Sequence, residues 1–277
     1  MHVRLTVPLA VLALVGGAVV AGSAASAAPK RMKANFAPAA TATVYPGVQT
    51  RTPVGQCTSN FVFTDGASVF IGQAAHCSGT GEATETNGCD AKSLPEGTAV
   101  NVTGASRPGV MVYNSWIRMQ KAGETNPAAC DYNDFALIRL DPADVSKTNP
   151  SVRVFGGPTG LRSTGTTFGE KVVSYGNSSL RFGLTPTSPK YGRSLGTTGA
   201  GWSHTVYTAT PGIPGDSGSG FLDGTGKAFG TLSTVAIAPL AASNGVGDLA
   251  KELAYAQSHG FPTLSLVNGT EPFTGAL

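Results

Sequence analysis

Residues 211–221 read "PGIPGDSGSGF" and hold one hydroxyl, that of Ser217, in a stretch almost without side chains. A serine hydroxyl is a weak nucleophile at neutral pH. It attacks a carbonyl only when a base takes its proton and a third group orients that base. Four histidines are available, and His2 lies in an apolar leader, which leaves His76, His204 and His259. His76 follows the apolar run "SVFIG" and two small alanines, so a strand end holds its imidazole rigidly. Asp134, in "DYNDFALIRL", opens the run from Phe135 to Leu140 and places a carboxylate where a strand enters the core. Base, orienting acid and nucleophile thus occur in the order His76, Asp134, Ser217. Each has a plainer reading alone: a structural histidine, a turn aspartate, and a surface turn built of Gly, Pro, Asp and Ser.

The elements that must bring these three together are short strands. With 37 Gly and 18 Pro in 277 residues, the chain is rich in turns and poor in helix formers away from its ends. "SNFVFTDGASVFIGQAAHC" has two apolar runs around Asp65-Gly66, a hairpin signal. "GTAVNVTG" and "GVMVYNSWIRMQ" read as further strands, as do "EKVVSYG", "WSHTVYTAT", "SGFLD" and "AFGTLSTVAIA". Between Leu140 and Gly160, polar residues, Pro and Gly interrupt the pattern and mark a boundary between two β units. One helix is predicted near the end. "GDLAKELAYAQSHG" puts Leu249, Leu253 and Ala256 on one face, with Asp248 as N-cap and Gly260 as stop. The pattern is that of an all-β barrel or sandwich.

Residues 1–27 combine Arg4, an apolar run and the small residues Ala25-Ser26-Ala27, the pattern of a secretory signal peptide. Residues 28–50 are rich in Ala, Pro and Thr and read as a linker or short propeptide with little fixed structure. Four cations and no acid lie before residue 51, so the remainder carries −1 rather than the +3 of the whole chain. That removes the charge argument for nucleic acid or an anionic membrane as partner. An extracellular, monomeric protein with no membrane attachment after signal removal is expected. Four cysteines, Cys57, Cys77, Cys89 and Cys130, imply two disulfides after a signal peptide, in any of three pairings. No CxxC occurs, which disfavours zinc, and neither a metal nor an organic cofactor is indicated.

Taken together, "AAHC", "NDFALIRL" and "GDSGSG" in this order resemble the three signatures of the trypsin-like, or chymotrypsin-fold, secreted serine proteases, closest in character to the bacterial members. The resemblance covers roughly residues 50–245. It implies two six-stranded antiparallel Greek-key β-barrels with the active site between them: residues 51–145 carrying His76 and Asp134, and 146–277 carrying Ser217 and the terminal helix. It further implies a serine endopeptidase acting on protein or peptide substrates, with His76 as general base, Asp134 fixing its tautomer, and the backbone N–H groups of Gly215 and Ser217 as oxyanion hole. Cys57–Cys77 is the pairing it supports, which leaves Cys89–Cys130.

The chain departs from the family in two places. It lacks the Ile-Val-Gly-Gly stretch whose freed amine pairs with the aspartate before the serine, here Asp216, so an internal cation such as Lys171 or Arg181 is expected instead. The position six residues before the serine, an aspartate in trypsin proper, is Pro211. A preference for Lys or Arg is therefore not supported, and Ser233, Thr234 and Val235 are the expected strand for substrate backbone, with small or medium apolar side chains preferred. An esterase of the α/β-hydrolase type fails because Ser219 breaks GxSxG. A binding or adhesion protein on a protease fold is the alternative from another class.

Overall fold

The computed structural model describes residues 34–82, 85–235 and 242–275. The expected signal peptide and residues 28–33 lie outside the described residues.

Seven short strands build the N-terminal half: β1 (Gln49–Arg51), β2 (Gln56–Thr58), β3 (Val62–Thr64), β4 (Val69–Gln73), β5 (Ala99–Val102), β6 (Gly109–Asn114) and β7 (Ala136–Arg139). They pair antiparallel in the order β3-β4-β7-β6-β5-β1-β2. At the β3–β4 hairpin, Asp65 Oδ1 accepts from the amides of Ala67 and Ser68 at 2.8 and 2.7 Å, which closes the expected turn. The alternation in β5 sends Val100 and Val102 inward to meet Val62, Ile71, Met111 and Ile138.

Two segments differ from the sequence expectation. "GVMVYNSWIRMQ" is strand only to Asn114. There the Asn114 side chain accepts from the amides of Trp116 and Ile117, so the chain turns into helix α1 (Ser115–Ala122), which Gly123 ends at φ +63°. Helix α2 (Pro127–Tyr132) follows, capped by Asn126, and then α3 (Pro142–Val145). The second correction concerns residues 28–50, whose described part, from 34, is not loose. Ala37 donates to Thr148 O at 2.9 Å, and Val44 and Val48 are buried in the N-terminal core.

The C-terminal half consists of β8 (Gly160–Leu161), β9 (Lys171–Tyr175), β10 (Pro189–Thr198), β11 (Ser203–Thr208), β12 (Gly220–Asp223), β13 (Lys227–Val235) and β14 (Asn244–Asp248). Six of these close into a barrel, β12-β9-β10-β11-β14-β13 and back to β12, with β8 parallel to β13 outside the ring. Closure pairs each of the six on both sides along part of its length, and β13 runs on past its last β12 partner at Thr231 to Val235. The closed six-stranded barrel expected here is present; the N-terminal sheet is instead an open order of short strands. Asp248 caps helix α4 (Leu249–Ser258), and Leu249, Leu253 and Ala256 are buried as the spacing requires. After α4 the chain crosses back, and β15 (Ser265–Leu266) pairs with β3, extending the first sheet to eight strands. One apolar core, from Phe63, Phe70, Tyr113 and Phe135 through Val173 and Leu222 to the α4 face, runs through both halves. Each such side chain contributes about 1.5–3 kcal/mol on burial.

Candidate active site

His76 is presented by β4, all five residues of which are buried, followed by buried Ala74 and Ala75 and one 3₁₀ turn from Ala75 to Ser78. Its Nδ1 lies 2.6 Å from Asp134 Oδ2, and its backbone N–H donates to Asp134 Oδ1 at 2.9 Å. One carboxylate therefore fixes both ring and main chain. The Ser233 hydroxyl donates to Asp134 Oδ2 at 2.6 Å, a third bond to a carboxyl only 3% exposed. With Nδ1–H committed to Asp134, the lone pair of the neutral ring resides on Nε2. Burial works against the charged forms of both partners. The Asp134 charge and hydrogen bond outweigh it at His76, whose pKa is raised, and the imidazole and Ser233 outweigh it at Asp134, whose pKa is lowered.

Ser217 sits in a turn held from both halves. Thr58 N–H donates to Ser217 O at 2.8 Å, while the Gln56 side chain and the Thr58 hydroxyl donate to Gly215 O at 3.0 and 2.8 Å. Gly215 and Gly218 have φ of +95° and +86°, and a Cβ on Gly218 would lie 2.5 Å from Thr58 O. Only glycine fits there. Along this turn Asp216 donates to Ile213 O, Gly218 to Leu232 O and Ser219 to Asp216 O. Among the described residues, the N–H groups of Gly215 and Ser217 have no protein acceptor.

A cleft of about 810 Å³ is lined by His76, Asp134, Ser217, Gly212 to Gly215, Ser233 and Thr234. It therefore brings together the three chemical groups, the proposed oxyanion amides and two of the four expected substrate-binding residues. Pro211 immediately precedes the lining, and the backbone of Val235 pairs with Asn244 in the β13–β14 register. Trp116, 3% exposed, also lines the cleft, with its ring centroid 6.5 Å from that of His76. Cys57–Cys77 and Cys89–Cys130 are the two disulfides. Cys57, Cys77 and His76 lie close enough together to suggest a metal site, but both sulfurs are bonded to each other and offer no thiolate.

Asp216, fully buried, does not point into the cleft's chemistry. Its carboxylate takes Arg181 Nη2 at 2.5 Å, Lys190 Nζ at 2.9 Å, and the amides of Ser178 and Ile213 at 3.1 and 3.2 Å. Of the two cations named from the sequence, Arg181 is the one in place; Lys171 stands at the exposed start of β9. The sequence reading missed Lys190, because nothing local distinguishes a buried lysine from a surface one in "SPKYG". It also missed the bond from Ser233 to Asp134, and Gln56 and Thr58 as holders of the serine turn. Neither of the other two candidate histidines, His204 and His259, lines the cleft. His204 is buried between Asp248 and Thr166, at 3.1 and 3.0 Å, and His259 stacks on Tyr255 at the end of α4.

No family model matches the chain, and no curated protein matches it. Solved structures do. Thermobifida fusca protease A aligns with a TM-score of 0.52 at 16% identity, over 82% of this chain and all of that one. A glutamic acid specific serine protease, described as using a histidine triad in substrate binding, gives 0.52 at 16% over 81% of this chain and all of its own. A Glu endopeptidase gives 0.51 at 15%, over 79% and 93%. The fold is that of the chymotrypsin-like bacterial serine proteases, as the resemblance implied.

Proposed function

We propose that this protein is a secreted serine endopeptidase with His76, Asp134 and Ser217 as its catalytic triad. The observation that carries the reading is the cleft itself: an Asp134-oriented imidazole, a glycine-framed serine and two unpaired amides flanking Asp216 in one cavity. His76 Nε2 takes the Ser217 proton as Oγ bonds to the scissile carbonyl carbon. The resulting oxyanion is received by the N–H groups of Gly215 and Ser217. His76, held as imidazolium by Asp134, then gives its proton to the leaving amine as the C–N bond breaks, and an acyl-enzyme remains. Water, deprotonated by His76, hydrolyses that ester by the same steps in reverse. The substrate backbone pairs along Ser233 to Val235, adding a strand beside β13. Secretion is supported by the leader pattern and by two disulfides. No helix among the described residues is long and apolar enough to cross a membrane.

A fluorophosphonate probe on the mature protein tests the reading. Covalent labelling of wild type, lost in both Ser217→Ala and His76→Ala, is expected. Absence of labelling in wild type, or labelling unchanged in His76→Ala, would leave the non-catalytic binding protein as the better account. A peptide library digested by the mature protein would give its side-chain preference, for which small or medium apolar residues are proposed.

A further inference from the structure

Lys190 is an unusual lysine. Its side chain is completely buried, and its ammonium has three N–H donors. Three oxygens meet them: Asp216 Oδ2 at 2.9 Å, Pro211 O at 3.0 Å and Thr210 O at 3.1 Å. The ammonium is thus saturated, and one atom joins the acid beside Ser217 to the two residues that lead into the cleft wall at Gly212. Room for this junction is made at Gly176, where a Cβ would fall 2.5 Å from Asp216 Oδ1 and 2.8 Å from Lys190 Cε. The wall is fixed from its other side by Asn244, whose Oδ1 accepts from Gly212 N–H at 2.8 Å and whose amide donates to Thr208 Oγ1 at 3.0 Å. Arg181 differs in reach. It contacts Asp216 and has no bond to residues 210–212.

We infer that Lys190 is a positioning residue for substrate side-chain selection: it locks the wall at Thr210 and Pro211, behind the specificity pocket, to the Asp216 turn that carries the nucleophile. The inference rests on the protease reading and adds a division of labour within it. Arg181 holds the serine turn only, whereas Lys190 holds the turn and the pocket wall together. Burial lowers the Lys190 pKa and the Asp216 charge opposes this, in keeping with an ammonium whose bonds leave no donor for solvent. Loss of Lys190 would leave Pro211 O without its donor and Thr210 O with the Thr208 hydroxyl alone, while Asp216 keeps Arg181 and two amides. The wall would loosen and the serine turn would stand.

The test compares wild type, Lys190→Met and Arg181→Met on peptide substrates that differ only in the residue before the scissile bond, either glycine or the side chain a library shows to be preferred. Melting curves and phosphonate titration count the folded, competent enzyme. For Lys190→Met, kcat/KM on the preferred substrate is expected to fall about tenfold more than on the glycine substrate, mainly through KM. Arg181→Met should slow both substrates by the same factor, through kcat. Equal losses on both substrates in Lys190→Met, or the same side-chain-dependent loss in Arg181→Met, would overturn the inference. Should Lys190→Met fail to fold, Lys190→Gln keeps N–H donors for the carbonyls without charge; there a ratio of the two substrates nearer to wild type supports the inference, and a uniform loss opposes it. Wild type that neither labels nor cleaves would defeat the protease reading itself, a different result from labelled enzyme with uniform losses.

Discussion

Asp134 and Asp216 are both buried aspartates beside the same cleft, and they are held by opposite means. Asp134 receives an imidazole, a hydroxyl and a backbone amide, none of which carries a permanent charge. Asp216 receives a guanidinium and an ammonium as well as two amides. A carboxylate whose main partner can gain and lose a proton can follow a reaction. One clamped between two fixed cations can only hold a shape. In the proposed mechanism the N-terminal half supplies the acid–base pair that changes charge, and Asp216, in the C-terminal half, holds the turn that carries Ser217.

The same substitution placed in the two regions should separate these roles. Asp134→Asn keeps the size of the side chain but removes the charge and presents an amide to His76, which favours the wrong tautomer. The expected loss in kcat is about 10⁴-fold, the size known for this change in Ser-His-Asp enzymes, with little change in melting temperature. The pH profile carries the sign. The His76 pKa is raised in the native site, so activity falls on acidification through a value above 6.5. Without the Asp134 charge, burial is the influence left, and the acid limb of the residual activity should move to lower pH. Asp216→Asn should do the reverse. It leaves Arg181 and Lys190 buried with no counter-charge, at a cost of about 3–5 kcal/mol in stability, read by urea unfolding, and it leaves the acid limb of any remaining activity where it was.

Ser233→Ala is a smaller cut on the Asp134 side. The hydroxyl that it removes helps to lower the Asp134 pKa, and its loss should reduce kcat/KM by about tenfold while the fold persists. A pH–stability series on the same variant should then show acid unfolding beginning at higher pH. A depressed carboxyl pKa contributes stability above the unfolded-state value that disappears as pH falls through the folded one, and Ser233→Ala narrows that gap.

What could be read from the sequence follows the same division. The proposed reacting groups stood in short local patterns, "AAHC", "NDF" and "GDSG", because each is delivered by an apolar strand or a glycine turn that leaves a one-dimensional trace. Helix α4 was legible from its period and its cap. Strand β10 was not, although it is the longest among the described residues: Pro189, Gly192 and Gly196 break its apolar pattern, and pairing on both edges with β9 and β11 overrides the poor propensity. The helix in α1 was read as strand because the Asn114 cap looks like any polar residue until its side chain is seen to turn back on the chain. Residues 34–48 were read as loose from their composition, yet Val44 and Val48 find a core that only the folded sheet provides. Lys190 was invisible for the same reason, since its three acceptors lie 20 to 26 positions away.

A third buried acid extends the comparison in the opposite direction. Glu252, on α4, is fully buried and has neither cation nor imidazole; the Thr231 hydroxyl donates to its Oε2 at 2.9 Å. Burial, with the nearby charges of Asp134 and Asp248, drives its pKa well above 4.5, the direction opposite to that at Asp134. The native state then keeps a proton that the unfolded chain releases, and stability must fall as pH rises from about 4.5 toward the folded pKa. The limiting slope for one proton is about 1.4 kcal/mol per pH unit. His76 contributes a decline of the same sign, because its raised pKa stabilises below 6.5 and is lost as pH rises through the folded value. Glu252→Gln removes only the first component. Urea unfolding from pH 5 to pH 8 should therefore show the variant declining less steeply than wild type, with the difference already present between pH 5 and 6, below the range where His76 titrates. Parallel curves would mean that Glu252 ionises in the fold as it does outside it, and that the charged state of Asp134 owes less to its hydrogen-bond partners than the contrast between these acids implies.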